Sequence, residues 1–164
     1  MVILVMGTTG AGKTTVGELI ARRLGWTFLD ADDFHPPANI EKMKHGVPLA
    51  DADRAPWLSN VHSRLEQVNA EGKSAVLACS ALKQSYRDTL STGLDVRTVY
   101  LRGTYEQMRK HILARHGHFA GESILAGQFA DLEEPTNALT LAVGASPENL
   151  ANQAIEGLGL TPVA

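Results

Sequence analysis

The 164-residue sequence predicts a single α/β domain of three layers, with helices on both faces of a five-stranded parallel sheet. Three observations lead there. Five short apolar runs, at 2–6, 26–29, 74–79, 96–101 and 139–143, have strand length, and the first is continuously apolar, as in strands covered on both faces. The segments between the runs are long enough to carry crossover helices, which parallel strands require. A chain of this length buries roughly 70% of its unfolded surface in one core, so a second domain over 1–164 is not expected.

The elements follow in order. The run 2–6 ends at Gly7, and Val16, Leu19, Ile20 and Leu24 then recur at helical spacing until Gly25, placed as a left-handed cap. After the strand 26–29, Trp57, Leu58, Val61, Leu65 and Val68 line one face of a long helix ended by Gly72. Thr104 with Gln107 predicts a capping box, and Ser146 before Pro147 marks the start of the last helix. In a doubly wound sheet of this kind ligands bind at the carboxyl ends of the strands.

Composition narrows the partners. Fifteen Lys and Arg against 18 Asp and Glu leave a net charge of −3, which disfavours a broad nucleic-acid surface but permits a focused phosphate site. The single cysteine, Cys79, has no disulfide partner and makes a poor zinc site; a buried thiol is expected. The N-terminus carries no charged leader and no membrane-length segment, so the expected location is cytoplasmic, with no membrane partner.

The first strand leads into Gly7, Thr8, Thr9, Gly10, Ala11, Gly12, Lys13 and Thr14, which match the Walker A pattern. Its glycines let backbone N–H groups turn inward on phosphate oxygens, and the following helix presents its positive end, from Thr14 and Thr15 onward, to the same anion. Lys13 adds a mobile cation, and the Thr14 hydroxyl suits Mg²⁺. The fold is therefore expected to be that of a P-loop NTPase binding ATP and Mg²⁺. The DxxG and NKxD motifs of GTPases occur nowhere in the chain, and a large mechanical ATPase would need more chain than this. A small-molecule kinase is the class that fits best.

Acidic residues cluster after the second strand. In an extended segment Asp30 and Asp32 face the same way, toward the phosphate loop, with Asp30 serving Mg²⁺ through water and Asp32 the acceptor hydroxyl. A plain loop of turn-forming Asp residues is the alternative. His35, held extended by Pro36, suits a pocket wall or an ordinary turn.

The chain resembles the gluconokinase family, close to the shikimate-kinase-like small P-loop kinases. The resemblance runs nearly end to end, through the Walker loop, LDADDFHP at 29–36, NIEKM at 39–43, DADRAPWL at 51–58, CSALK at 79–83 with YRD at 86–88, GHF at 117–119, QF at 128–129 and LEEP at 132–135. It implies an ATP-dependent kinase acting on D-gluconate, a homodimer, and a helical lid over about 115–125. It implies a gluconate pocket of Asp32, His35, Arg54, Lys83, Arg87 and Gln128. Arg54, Lys83 and Arg87 supply cations for a carboxylate, while Asp32, His35 and Gln128 can sort hydroxyls. Read singly, each has a bland alternative: Arg54 a surface ion pair, Lys83 and Arg87 a solvated helix face at i, i+4, Gln128 an exposed side chain. Lys13, Asp32 and Arg115, at the base of the lid, are the expected catalytic residues. His111 stands where the family usually carries arginine, His116 departs at the lid, and 143–146 lacks the Asp residues often seen there. A shikimate or nucleoside monophosphate kinase, and a catalytically silent nucleotide-binding module, remain the rival readings.

Overall fold

The computed structural model describes residues 1–116 and 122–164. Its strands are β1 (Val2–Met6), β2 (Thr27–Asp30), β3 (Ala75–Ala78), β4 (Val96–Arg102) and β5 (Leu139–Ala142). Its helices are α1 (Lys13–Leu24), α2 (Pro37–Lys44), α3 (Asp51–Ala70), α4 (Gln84–Ser91), α5 (Tyr105–His116), α6 (Glu122–Asp131) and α7 (Pro147–Gly157), with a 3-10 turn at Ala31–Phe34. The strand order is β2-β3-β1-β4-β5, and all four pairings are parallel.

β1 is central because it is apolar on both faces. Ile3 and Val5 pack among Val16, Ile20, Leu150 and Ala154 on one side; Val2, Leu4 and Met6 pack among Trp57, Val61 and Leu65 on the other. Two apolar layers thus clamp the strand that feeds the phosphate loop, which fixes where that loop begins. Among the described residues no helix is long and apolar enough to cross a membrane.

The predicted caps are present. Gly25 adopts φ 68°, and its N–H turns back on Ala21 and Arg22 carbonyls. The Gln107 side-chain oxygen Oε1 accepts the Thr104 N–H at 2.8 Å, while Thr104 Oγ1 accepts the Gln107 N–H at 3.1 Å. Ser146 Oγ accepts the Asn149 N–H at 3.2 Å.

Four features differ from expectation. Trp26 lies outside β2 because its N–H donates to Ala21 O at 2.9 Å and so still belongs to the ending of α1. α3 starts at Asp51, ahead of the apolar stripe, where the Asp53 carboxylate accepts the Ala50 N–H at 2.8 Å and caps the first turn. α2 begins with Pro37 after Pro36, whose fixed φ suits a helix start. The segment after β2 does not stay extended: Asp30 Oδ1 accepts the Asp32 N–H at 3.0 Å and bends the chain into the 3-10 turn.

The phosphate loop is pressed against α5. Gly10 has φ 86°, and a Cβ there would lie 2.8 Å from Met108 O and 3.3 Å from Ile112 Cγ1. Both backbone conformation and space therefore exclude a side chain. We predict that Gly10→Ala lowers Tm by about 2–10 °C, the range set by roughly 1–3 kcal/mol of backbone strain in a domain this size. Calorimetry checks it, and an unchanged Tm would show that the loop can move away from α5 at no cost.

Candidate active site

Two adjoining cavities open around the phosphate loop. The larger, about 720 Å³, lies between the loop, α5 and the start of α7 and is lined by Gly12, Thr15, His111, Ile112, Val143 and Ala145 among others. Its walls are mainly apolar, as suits a base and ribose. The smaller, about 420 Å³, is lined by Lys13, Thr14, Asp30, Asp32, Ser80 and Gln128 and is polar. Thr9, Gly10, Gly12, Thr15 and Arg115 border both, so one continuous cleft runs from the apolar end to the acidic end.

Thr14 Oγ1 donates to Asp30 Oδ2 at 3.2 Å, while the other Asp30 oxygen caps the 3-10 turn. This hydroxyl and carboxylate are hard oxygen donors, of the kind Mg²⁺ takes when it keeps most of its waters. Lys13 Nζ donates to Thr8 O at 3.0 Å, bridging its own loop. Burial pushes the Lys13 ammonium below the ordinary lysine value; Cys79, Asp32 and Asp30 oppose that shift, and Arg115 adds to it. Burial raises the Cys79 thiol to about 12, so it lines the cleft as a neutral wall.

Asp32 reaches the cleft by the 3-10 turn rather than by strand alternation, which corrects the extended-segment expectation. Its side chain is 86% exposed, so solvent screens its surroundings. Desolvation by the cleft walls, followed by the Asp30 carboxylate, nevertheless raises its pKa; His35 and Lys13 pull the other way. His35 Nε2 lies 4.0 Å from Asp32 Oδ1, and burial lowers the histidine pKa. The ring is therefore neutral near pH 7.

Four further residues form a linked cluster. Arg54 Nη1 donates to Tyr86 Oη at 3.1 Å and lies 3.8 Å from Asp51 Oδ1. Lys83 Nζ donates to Asp51 Oδ1 at 3.2 Å, and Tyr86 Oη also donates to that carboxylate. The hydrogen bonds from Tyr86 and Lys83 hold Asp51 below the ordinary carboxylate range. Two of the predicted cations are thus brought together, each already partnered by one exposed acid.

Arg87 and Gln128 are placed otherwise than expected. Arg87 is 5% exposed and does not line the cleft. Its Nη1 donates to Ala81 O at 2.6 Å and Leu82 O at 3.1 Å; its Nη2 donates to Glu133 O at 2.7 Å and Gln84 Oε1 at 3.1 Å. The i, i+4 spacing with Lys83 misleads because Lys83 is the N-cap of α4 and Arg87 points under it, into protein. Gln128 does line the cleft, but its side-chain oxygen accepts the Thr9 N–H of the phosphate loop at 2.6 Å. Arg115 lies in the last turn of α5 beside both cavities; GHF at 117–119 and much of the expected lid, 117–121, lie outside the described residues.

A family model for shikimate kinase matches residues 9–121. A gluconokinase from Gluconobacter oxydans (strain 621H) is 47% identical, covering 81% of this chain and 75% of that one. A probable gluconokinase from Rattus norvegicus is 42% identical over 96% of this chain and 97% of its own. The chain belongs to the gluconokinase family.

A crystal structure of a gluconokinase from Sinorhizobium meliloti 1021 superposes with a TM-score of 0.86 at 39% identity, covering 96% of this chain and 90% of that one. Membership of the family makes the chain an ATP-dependent kinase. His111 Nδ1 lies 2.8 Å from Gly10 O; since a carbonyl only accepts, Nδ1 is a protonated nitrogen. The histidine thus holds the outer edge of the phosphate loop. Sequence reasoning missed Ser80, although its place directly after β3 is where ligands gather, and it missed Asp51 and Tyr86, which lie within matched motifs but show their role only once packed.

Arg87 also steadies an unusual backbone, since Ala81 has φ 46°, the one positive φ recorded for a non-glycine among the described residues. We predict that Arg87→Met lowers Tm by about 4–10 °C, because buried carbonyls lose a charged donor, and leaves the acceptor KM nearly unchanged. The opposite pattern, a raised KM with an unaltered Tm, would mean that Arg87 contacts substrate instead.

Proposed function

We propose that this chain transfers the γ-phosphoryl group of ATP to the terminal hydroxyl of D-gluconate, giving 6-phospho-D-gluconate and ADP. The observation that carries the reading is the meeting, in one cleft, of Lys13 and Thr14 of the phosphate loop with Asp30 and Asp32. The names of the relatives supply the acceptor. Thr8 through Thr15 hold the nucleotide phosphates, with backbone N–H groups and the α1 N-terminus facing the anion. Thr14 and, through water, Asp30 hold Mg²⁺, which when bound neutralises charge on the transferring phosphoryl group.

Lys13 stabilises the same oxygens, and Arg115 closes on them from the end of α5. Asp32 orients the acceptor hydroxyl, whose oxygen bonds to phosphorus as the bond to the ADP oxygen breaks; the hydroxyl proton passes to Asp32. A raised carboxylate pKa suits that duty, since it makes the group a better acceptor of the proton. The His35 side chain is 6% exposed and lines neither cavity, but its Nε2, 4.0 Å from Asp32 Oδ1, places it behind that carboxylate, within reach of the same hydroxyl. Arg54 and Lys83 offer fixed cations for the gluconate carboxylate, in exchange for part of their pairing with Asp51.

Two measurements test this. In a coupled ADP-release assay, D-gluconate should be turned over in preference to shikimate and nucleoside monophosphates; equal or faster turnover of any competitor refutes the assignment. Asp32→Asn should lose about 10²- to 10⁴-fold in kcat with little change in ATP affinity. Asp30→Asn should instead raise the Mg²⁺ concentration needed for full activity. Wild-type kcat in Asp32→Asn would end the proposed division between the two acids.

A further inference from the structure

Asn39, on α2, does not line the cleft and is 3% exposed. Its amide nitrogen makes two contacts: Nδ2 donates to Asp53 O at 2.9 Å and lies 3.2 Å from His35 Nδ1. A backbone carbonyl can only accept, so the atom facing Asp53 must be the amide nitrogen rather than its oxygen. That same nitrogen faces the imidazole and has no lone pair to offer. His35 Nδ1 is therefore the unprotonated acceptor, and the single proton of the neutral ring resides on Nε2.

The plane of the ring is set independently. His35 stacks on Trp57 with centroids 4.4 Å apart and an interplanar angle of 14°, and Trp57 is anchored by its Nε1–H on Ala31 O at 2.7 Å. The charged groups facing the imidazole are Asp32, from the 3-10 turn, and Arg54, from α3. Nε2 is 4.0 Å from Asp32 Oδ1, too far for a direct hydrogen bond but close enough for one oxygen to touch both.

We propose that Asn39 is a positioning residue that locks His35 in its Nε2–H tautomer, so that His35 meets the acceptor as a fixed hydrogen-bond donor beside Asp32. An acceptor hydroxyl then gives its proton to Asp32 while its oxygen receives the His35 N–H, and the imidazole takes no part as a base. The site thereby demands an oxygen at that point of the acceptor. The inference rests on reading this cleft as the acceptor site, but the lock can be judged without turnover.

The test uses the full chain labelled with ¹⁵N and two-bond ¹H–¹⁵N correlation of the histidine rings in mildly alkaline buffer, with His35→Gln identifying the signals of residue 35. The wild type should show the pure Nε2–H pattern. Asn39→Ala should give a mixture of tautomers, and Asn39→Asp, whose carboxylate accepts, should draw a proton to Nδ1. In gluconate kinetics Asn39→Ala should raise KM roughly tenfold, as expected for loss of one well-placed donor, and change kcat by less than about threefold. A wild-type Nδ1–H pattern overturns the lock whether or not any variant folds. So does a pure Nε2–H pattern in Asn39→Ala, and a tautomer change with unaltered KM removes the donor role. Absence of gluconate turnover in the wild type would instead sink the functional reading, and the ring spectrum would still stand.

Discussion

One carboxylate sets the relation between the two halves of the cleft. Asp30 takes the Thr14 hydroxyl on one oxygen and the Asp32 N–H on the other, so the phosphate loop and the acceptor turn are joined through a single side chain at the end of β2. Asp30 pairs with Ala78 of β3, which pairs in turn with β1, so the carboxylate is positioned by the same parallel sheet that positions the loop. Any movement of β2 relative to β1 would shift Asp32 relative to the phosphate loop. The rigidity of the sheet is in this sense part of the chemistry, because in-line transfer tolerates little misplacement.

The acceptor end is organised on a different principle. Arg54, Lys83, Tyr86 and Asp51 neutralise one another across the start of α3 and the start of α4, and Lys42 Nζ meets Asp53 Oδ2 at 2.9 Å to bind α2 to α3. Asp51, the acid that Arg54 and Lys83 share, is 68% exposed, so solvent screens those pairings and each is individually weak. The phosphate end is assembled from backbone and buried strands; the acceptor end is assembled from side chains that can change partners.

This contrast explains what was legible in the sequence. The central strands and the Walker loop could be read because apolar continuity and glycine spacing are local properties of the chain, and Thr104, Gln107, Gly25 and Ser146 announced their helix ends for the same reason. Asp32 was found by a faulty route: its residue type and position after a strand pointed to the cleft, while the 3-10 turn that delivers it depends on a side chain accepting a backbone N–H two residues on. Arg87 was misplaced because motif membership does not say which way a side chain points. Its burial depends on carbonyls from Ala81, Leu82 and Glu133, which are far from obvious until α4 and the segment after α6 are packed together. Asn39 was hidden for the opposite reason, since its side chain contacts His35 and Asp53 O and lines neither of the two cavities described.

The bond between Gln128 and Thr9 has a thermodynamic consequence for the donor nucleotide. An open phosphate loop offers its N–H groups to water, and an arriving anion displaces solvent. Here one of those groups is already held by an amide oxygen from α6, so a phosphate that claims it gains only the difference between a charged and a neutral acceptor, on the order of 1 kcal/mol. The displaced glutamine oxygen then needs another donor, water included. Nucleotide binding is in that respect an exchange of ligands on the loop, and α6 is the element that registers it.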